Sequence, residues 1–334
     1  MLMKKTTLFA VFGGLLSVLV VSKLLGDSWS YPTGPSTYYS SNKIYALTVT
    51  PPPAQTEEKC VAVLKRNDSK ENQVVWQATL VNPVTPLAAM ITNTGNYVVT
   101  FDTWGRVGTD PIVIYDSKGQ LVHRHSLESL GLMQYVEGKW VVRKRTKNED
   151  GSETVGATKE GAYIKRSVSS TWWQENAIRF FANEERYLIV RLHWGMLLGI
   201  DLSTGRILGN AELNAVKAEI DENMRREALL LLASDRVDDQ LTGAIIAGQE
   251  KYPSAIPLLR ELLKSKVRSH QRTTTPESTA DNTITKWKRI SSKYEYYVRK
   301  AGLEALTALG EKVDGVIIEE DAPWEDDPWK KDES

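Results

Sequence analysis

Four histidines and three spaced aspartates are the side chains of this sequence that could bind a metal ion. His123 and His125 are two residues apart, so a strand would place them on one face. A zinc site needs at least three protein ligands, and no nearby Cys or H-x-x-x-H pattern supplies the remainder. Asp102, Asp110 and Asp116 are eight and six residues apart, a spacing that fits no compact calcium loop. We therefore expect no metal site.

Catalytic motifs that depend on a nucleophile or a nucleotide are the next candidates. No G-x-S-x-G, P-loop or G-x-G-x-x-G pattern follows the N-terminal apolar run, so these mechanisms lack their usual sequence support. We expect no cofactor. Asp116 and Asp201 fit turns, in which their carboxylates accept local backbone N–H groups.

Aromatic side chains with a polar group are the remaining chemical feature, since ten Trp and thirteen Tyr outnumber five Phe. Trp172 and Trp173 could form an exposed platform for a protein or sugar partner. They could equally fill a sheet core, because a strand directs one of two consecutive residues inward. An enzyme or carbohydrate-binding cleft would group both with His193 and Trp194 and would need carboxylates close by.

The elements that must position these residues begin with an N-terminal export segment. Lys4 and Lys5 precede Thr6 to Val21, a run that carries no charge and is rich in Leu, Val and Phe. Residues 1–26 are therefore predicted to be a secretory signal peptide or a membrane anchor, and the sequence leaves cleavage open. We expect an exported protein in the periplasm or at the outer face of the membrane, with membrane contact only through this segment if it is retained.

Composition limits the partners and the cross-links of the chain. Its 334 residues contain 42 basic and 42 acidic side chains, so no overall field recruits nucleic acid. The length suits two modest cores. Cys60 is the one cysteine, which excludes an intrachain disulfide.

A β-rich domain is predicted at 40–212, after a linker at 27–39. Its strands are short and rich in Val, Ile, Tyr and Thr, and we place them at Ile44–Thr50, Cys60–Lys65, Val74–Leu80, Tyr97–Asp102, Ile112–Tyr115 and Leu121–His125. A further strand pair is expected at Lys139–Lys144 and Gly161–Lys165.

Two units within this domain repeat each other. Tyr97–Phe101 corresponds to Tyr187–Arg191, ninety residues later, and in both units a Trp-Gly pair and then an Asp-to-Gly turn follow. This pattern resembles a propeller blade. A closed propeller needs at least about four blades. The sequence therefore predicts a β-sandwich or an open barrel-like domain of two related sheets, or else an incomplete propeller arc.

A helical domain is predicted at 213–315. Apolar and small residues of Tyr297–Glu311 recur on one helical stripe, and Gly243–Leu263 has the same character. Both segments resemble HEAT-like repeats of the short bacterial kind, which implies stacked helices that present a surface to a macromolecule. The equivalence sets Gly248 against Gly310. A polar, basic insertion at 265–291 interrupts the repeat.

The acidic tail at 316–334 contains Trp324 and Trp329. It could dock these indoles into a partner, or it could fold back onto the basic insertion.

The predicted architecture is an α+β multidomain protein, similar to uncharacterised exported bacterial proteins that join a propeller-like β region to HEAT-like repeats. We expect a non-catalytic protein-binding or scaffolding protein of the cell envelope, with an unidentified protein partner and no nucleic acid. The alternative is an envelope hydrolase or carbohydrate-binding protein with an aromatic cleft in the β domain. The residues predicted to contact a partner are Trp172, Trp173, Trp324 and Trp329.

Overall fold

The computed structural model describes residues 30–54, 56–67, 73–136, 139–147, 153–160, 162–164, 171–174, 176–278 and 284–323. Antiparallel sheets come first along the chain and helices follow. Among the described strands, the N-terminal ones are β1 (Ser36–Tyr39), β2 (Tyr45–Thr50), β3 (Val61–Arg66), β4 (Gln73–Thr79), β5 (Pro86–Ile91), β6 (Val98–Thr103), β7 (Val113–Tyr115) and β8 (Leu121–Arg124). The later ones are β9 (Lys139–Lys147), β10 (Glu153–Glu160), β11 (Ile178–Ala182), β12 (Tyr187–Arg191), β13 (Leu197–Asp201), β14 (Ser269–Ser278), β15 (Ile284–Glu295) and β16 (Glu319–Asp321). The helices are α1 (Asn210–Ala215), α2 (Lys217–Leu232), α3 (Val237–Glu250), α4 (Ile256–Leu262) and α5 (Tyr297–Ala308), with two short 3-10 helices at Met133–Tyr135 and Pro253–Ala255.

Three meander sheets follow one another along the chain. The first sheet is β1–β4, the second is β5–β8 and the third is β11–β13, and neighbouring strands in each are consecutive and antiparallel. The prediction of two related sheets is therefore incomplete, because β1–β4 form a third sheet. The sequence predicts three of its strands, β2, β3 and β4, but not its relation to the other two sheets, because it lacks their Trp-Gly pair.

The three sheets stack face to face. Leu64 and Trp76 of the first sheet share a core with Val98 of the second. On the opposite side of β6, Phe101 shares a second core with Leu188 of the third sheet. Both β6 and β12 are buried along their whole length, as expected for strands covered on two faces. This is the packing of blades in a short propeller-like arc rather than that of a two-sheet sandwich.

The repeated Asp-to-Gly turns fit each sheet against the one before it. Gly119 has φ +74°, and a Cβ built there would lie 2.8 Å from the indole of Trp76 in the first sheet. Gly205, at the equivalent turn, has φ +72°, and its Cβ would lie 2.2 Å from that of His123 in the second sheet. Glycine is required at both turns because of the left-handed backbone and the close approach. Asp116 and Asp201 accept backbone N–H groups inside these turns, which confirms their predicted role.

The helices cover the far face of the third sheet. Ile189 of β12 packs in one core with Ile220 and Met224 of α2 and with Ile246 of α3. A second helical core joins α3, α4 and α5 through Ala247, Leu259 and Leu306. The predicted helical segments are thus present, close to their expected positions.

The packing does not show Gly248 and Gly310 as matching positions of two HEAT-like repeats. Gly248 lies inside α3, where a Cβ would come 3.0 Å from the backbone of Ala305 in α5. Gly310 instead follows the end of α5 with φ +81°. One glycine permits close helix contact and the other ends a helix, so their spacing does not define a repeat.

Several segments differ from the sequence prediction. The expected linker at 27–39 contains β1, which pairs with β2. The strand expected at Gly161–Lys165 lies earlier, at β10, while Ile164 is buried in the core between the second and third sheets. The polar insertion at 265–291 forms most of the β14–β15 hairpin. Alternating long polar side chains hide such a hairpin from a search for apolar strands.

The predicted signal or anchor at 1–26 lies outside the described residues. No helix within the described ranges is long and apolar enough to cross a membrane.

Candidate functional site

The tryptophan pair lies in the interior of the sheet stack. Trp172 and Trp173 are 2% and 3% exposed. Both indole N–H groups donate to the carboxylate of Asp102, Trp172 to Oδ1 at 3.2 Å and Trp173 to Oδ2 at 2.6 Å. The backbone N–H of Gly108 also donates to Oδ1, at 2.8 Å. The indoles therefore act as core side chains and do not offer the exposed platform considered from the sequence.

Asp102 adopts the left-handed conformation at φ 52°, which an aspartate tolerates better than most side chains. A fully buried carboxylate is stable when several N–H groups donate to it, and here two indoles and one amide do so. This aspartate is thus a structural acceptor that joins the two indoles to the loop at Gly108.

Arg179 packs against the same cluster. Its guanidinium carbon lies 4.3 Å from the ring of Trp173 and 4.6 Å from that of Phe101, within cation–π range. Burial lowers the pKa of Arg179 to about 10, so the side chain stays charged at neutral pH. No sequence pattern points to Arg179, since its role depends on the rings of Phe101 and Trp173.

An open cleft of about 460 Å³ lies beside this cluster, at the end of the second sheet. Asp110 occupies its floor with φ 53°, forms an ion pair with Arg124 and accepts a hydrogen bond from Thr103 Oγ1 at 3.2 Å. His125 and Ser129 also line the cleft, with Nδ1 and Oγ 3.3 Å apart. Ser, His and Asp are the residue types of a hydrolytic site, so the geometry of these three side chains bears on the alternative function of a hydrolase.

The serine and the histidine are committed to local structure. Ser129 Oγ accepts the N–H of Ser126 at 2.9 Å and donates to its carbonyl at 3.0 Å, a capping arrangement that uses the hydroxyl proton. Burial, and then the neighbouring His123, lower the pKa of His125 to about 4. A neutral imidazole with so low a pKa is a weak general base at pH 7. The pair therefore gives no support to nucleophilic catalysis.

His193 and Trp194 lie elsewhere, at the turn between β12 and β13. His193 Nε2 is 2.8 Å from the carbonyl oxygen of Tyr163, and its ring packs edge-on against Trp194. Trp194 also stacks on Tyr135, 5.0 Å between ring centroids. The alternative function needs one open cleft that contains His193, Trp194, Trp172 and Trp173. Instead, Trp172 and Trp173 bond to Asp102 in the interior, whereas His193 and Trp194 contact Tyr163 and Tyr135.

The outer face of the first sheet is a regular surface on which no described helix or strand packs. Its inward-facing side chains form the core with the second sheet, and the alternate ones face away from the stack. The outward residues in register are Thr37, Tyr39, Ala46, Thr48, Val61, Val63, Lys65, Gln77 and Thr79. Next to this face, a groove of about 670 Å³ is lined by Tyr31 and by Pro51, Pro52 and Pro53.

The hairpin β14–β15, whose sequence is basic, is the second feature outside the sheet stack. The start of the acidic tail pairs with it as β16, and Glu320 forms an ion pair with Arg268 at 2.6 Å. Glu319 contacts Lys293 at 3.1 Å. The start of the tail thus returns to the hairpin that contains the basic insertion, and it reaches the insertion itself through the ion pair of Glu320 with Arg268. Trp324 and Trp329 lie outside the described residues.

No set of three His, Cys, Asp or Glu side chains in the described part of the chain is arranged to hold a metal ion.

Comparison with known proteins gives little further guidance. No family model and no curated protein matches this chain. Among solved structures, it is similar to BamB from Moraxella catarrhalis at 16% identity and a TM-score of 0.22, over 52% of this chain and 48% of that one. It is also similar to HIRA(644-1017) at 12% identity and a TM-score of 0.25, over 85% and 94% of the two chains. The chain spans about half the length of the BamB structure, and neither similarity is close enough to assign a function.

Proposed function

We propose that this chain is a non-catalytic protein-binding or scaffolding protein of the cell envelope, and that the outer face of the first sheet is its main contact surface. The helical surface, which we expected to be HEAT-like, and the loops of the β domain would supply secondary contacts. One observation carries the proposal. The second and third sheets are packed on both faces, whereas the first sheet is packed only on the face toward the second sheet.

The composition of this face suits a protein partner. Lys65 is the one charged residue among the outward positions, and charge depletion distinguishes the centre of a protein interface from ordinary surface. Tyr39 is 60% exposed, and the adjoining edge strand exposes Val74 and Val75. Thr37 and Thr48 already bond to each other across the strands at 3.1 Å. A partner would therefore meet a rigid surface with few charges to desolvate.

The chemistry of the interior supports the same conclusion. The carboxylates of Asp102 and Asp110 accept hydrogen bonds or form ion pairs within the protein, and Ser129 caps its own turn. The export segment predicted at 1–26 supports the envelope as the location. The partner we expect is a protein with an uncharged, partly apolar contact surface of its own.

The test places a photo-crosslinking amino acid at Tyr39 or at Val63 in cells and identifies what is captured. The captured protein is then purified, and its affinity is compared for the parent chain and for Val63→Lys. We expect an added charge in the centre of the face to weaken binding by about tenfold or more, because the ammonium would be desolvated.

Leu230→Lys is the matched control. Leu230 is 60% exposed on α2 and does not belong to the first sheet, so the same charge there should leave affinity unchanged. Loss of binding in Leu230→Lys but not in Val63→Lys would move the contact surface to the helices. Equal affinity of all three proteins would refute the role of the sheet face.

A further inference from the structure

The turns at one end of the three sheets are joined by hydrogen bonds that run in a single direction. In the β1–β2 turn, the N–H of Asn42 donates to Asn93 Oδ1 of the β5–β6 turn at 2.8 Å. In that second turn, the N–H groups of Asn93 and Thr94 donate to the carboxylate of Glu185 at 2.6 and 3.1 Å. Glu185 belongs to the β11–β12 turn. Each turn thus donates to an acceptor that the next sheet supplies.

This series of bonds ends on the helices at the covered end of the stack. In the β11–β12 turn, the N–H of Asn183 lies 3.1 and 3.0 Å from the two carboxylate oxygens of Glu219 in α2. The helix therefore supplies the acceptor that a fourth sheet would supply. No described helix or strand packs on the outer face of the first sheet, so the first turn shows which group a partner there would meet.

Lys43 has the place in the first turn that Glu185 has in the third. Each lies two positions before the tyrosine that begins the following strand, Tyr45 or Tyr187. Both have a left-handed backbone, with φ 61° at Lys43 and 66° at Glu185. Glu185 extends toward the sheet before its own, and the equivalent direction from the exposed Lys43 is toward the outer face. A partner on that face would therefore meet an ammonium where the second sheet meets a carboxylate.

Lys65 adds a second ammonium to the same part of the face. It lies outward in a cross-strand row with Ala46 and Tyr39, and Tyr39 is 60% exposed. The row is next to the turn that carries Lys43, because Tyr39 ends β1 and Tyr45 begins β2. Among the described residues, no carboxylate forms an ion pair with either lysine. We refer to Tyr39, Lys43 and Lys65 as the lysine corner.

A partner that covers the outer face would remove water from the lysine corner. An ammonium that loses water without gaining an anion opposes binding strongly, whereas a well-placed carboxylate compensates for that loss. On the basis of the function proposed above, we propose that the partner presents an aspartate or a glutamate to the lysine corner, in a contact surface that is otherwise uncharged. Two lysines among Thr, Val and Tyr side chains make too small a basic patch for nucleic acid, which is bound through many phosphate contacts.

Charge reversal in the full chain tests this chemistry with the protein captured at Tyr39 or Val63. In the double variant Lys43→Glu, Lys65→Glu, we expect the affinity for that protein to fall about thirtyfold or more, because like charges would meet at the contact. Glu185 shows that a glutamate adopts the backbone of Lys43, so the turn should keep its fold. The affinity of the parent should also fall as the salt concentration rises.

The matched control is Lys251→Glu, Lys312→Glu. Lys251 is also exposed and left-handed, at φ 56°, and Lys312 is exposed after α5, so the same change in net charge is made outside the first sheet. This variant should bind like the parent. Equal losses in the two double variants would overturn the proposal, because net charge alone would then explain them.

A water-soluble carbodiimide tests the contact itself, since it joins an amine to a carboxylate that touches it, with loss of water. Mass spectrometry of the captured complex should find an amide bond between Lys43 or Lys65 and an Asp or Glu of the partner. Absence of that bond would overturn the proposal. Binding of the parent to phosphatidylglycerol vesicles that is lost in Lys43→Glu, Lys65→Glu would also overturn it, because the anion would then be a lipid.

Val63→Lys separates this proposal from the function on which it rests. Weaker binding in Val63→Lys with unchanged binding in Lys43→Glu, Lys65→Glu would refute the acidic residue of the partner and keep the sheet face as the contact surface. Capture of no protein at Tyr39 or Val63 would overturn both proposals.

Discussion

The two ends of the sheet stack are built from the same kind of meander but are finished differently. At one end, α2 and α3 pack on the third sheet through a core that contains Ile189 and Met224. At the other end, no described helix or strand packs on the outward side chains of the first sheet, which are Thr, Val, Tyr, Gln and Ala with one Lys. A propeller closes by packing its last blade on its first. Here helices terminate one end and a protein partner, in our proposal, terminates the other.

A buried ion pair gives the largest test of the covered end. Arg191 is fully buried in β12, where its guanidinium binds Glu250 Oε1 at 2.6 Å and Gln249 Oε1 at 2.7 Å, at the end of α3. Replacing it by Met leaves both acceptors without their donor and should lower the free energy of unfolding by about 3 kcal/mol, since Glu250 can still reach water. Urea denaturation measures this.

The control for that change is Arg225→Met on the surface of α2. Arg225 pairs with Glu222 but lies in solvent, so the loss should stay below about 1 kcal/mol. Equal losses in the two variants would contradict the view that Arg191 joins the third sheet to the helices.

Truncation of an apolar side chain compares the two ends directly. Ile189→Ala removes a fully buried side chain from the core between sheet and helices and should cost about 2–4 kcal/mol. Val63→Ala, on the outer face of the first sheet, should cost under about 1 kcal/mol in the free chain. Thermal unfolding of both proteins measures the difference. A loss of 2 kcal/mol or more at Val63 would mean that something already covers the open face.

Acid should destabilise the sheet stack between its two ends, at His125 in the second sheet's cleft. Its pKa in the folded protein is about 4, against about 6.5 in an unfolded chain, so the unfolded state binds the proton first. The contribution of neutral His125 to the free energy of unfolding is therefore fully present above pH 6.5. It is lost as the pH drops toward 4, by up to about 3 kcal/mol. His123, Asp110 and Arg124 are the other titratable groups around that cleft. Stability curves at pH 7 and pH 4.5 should differ less in His125→Gln than in the parent.

His270→Gln, in the separate hairpin, serves as the control and should leave the acid loss in place. An acid loss that is the same in His125→Gln as in the parent would assign it to other groups.

The sequence predicted what local patterns encode and missed what distant contacts decide. The central strands β6 and β12 and their Asp-to-Gly turns are visible as a repeat because both follow one local design. The first sheet forms the same kind of meander without the Trp-Gly pair, and β5 begins at Pro86, a residue that cannot donate to a strand ladder and so weakens the sequence signal of a strand. Similarly, α5 was visible because its apolar stripe has the period of a helix.

The tryptophan pair shows the limit for functional residues. The burial of Trp172 and Trp173 follows from Asp102, which lies seventy residues earlier and accepts both indoles. Composition suggested a half-exposed platform, because the sequence alone does not reveal that acceptor.

Cys60 makes this chain convenient for spectroscopy. Its thiol is fully buried, donates to the carbonyl of Asn82 at 3.4 Å, and burial raises its pKa to about 12. Thiol reagents attack the thiolate, which is scarce at such a pKa. A new cysteine at an exposed site such as Tyr39 can therefore carry a single fluorophore or spin label in the otherwise natural sequence.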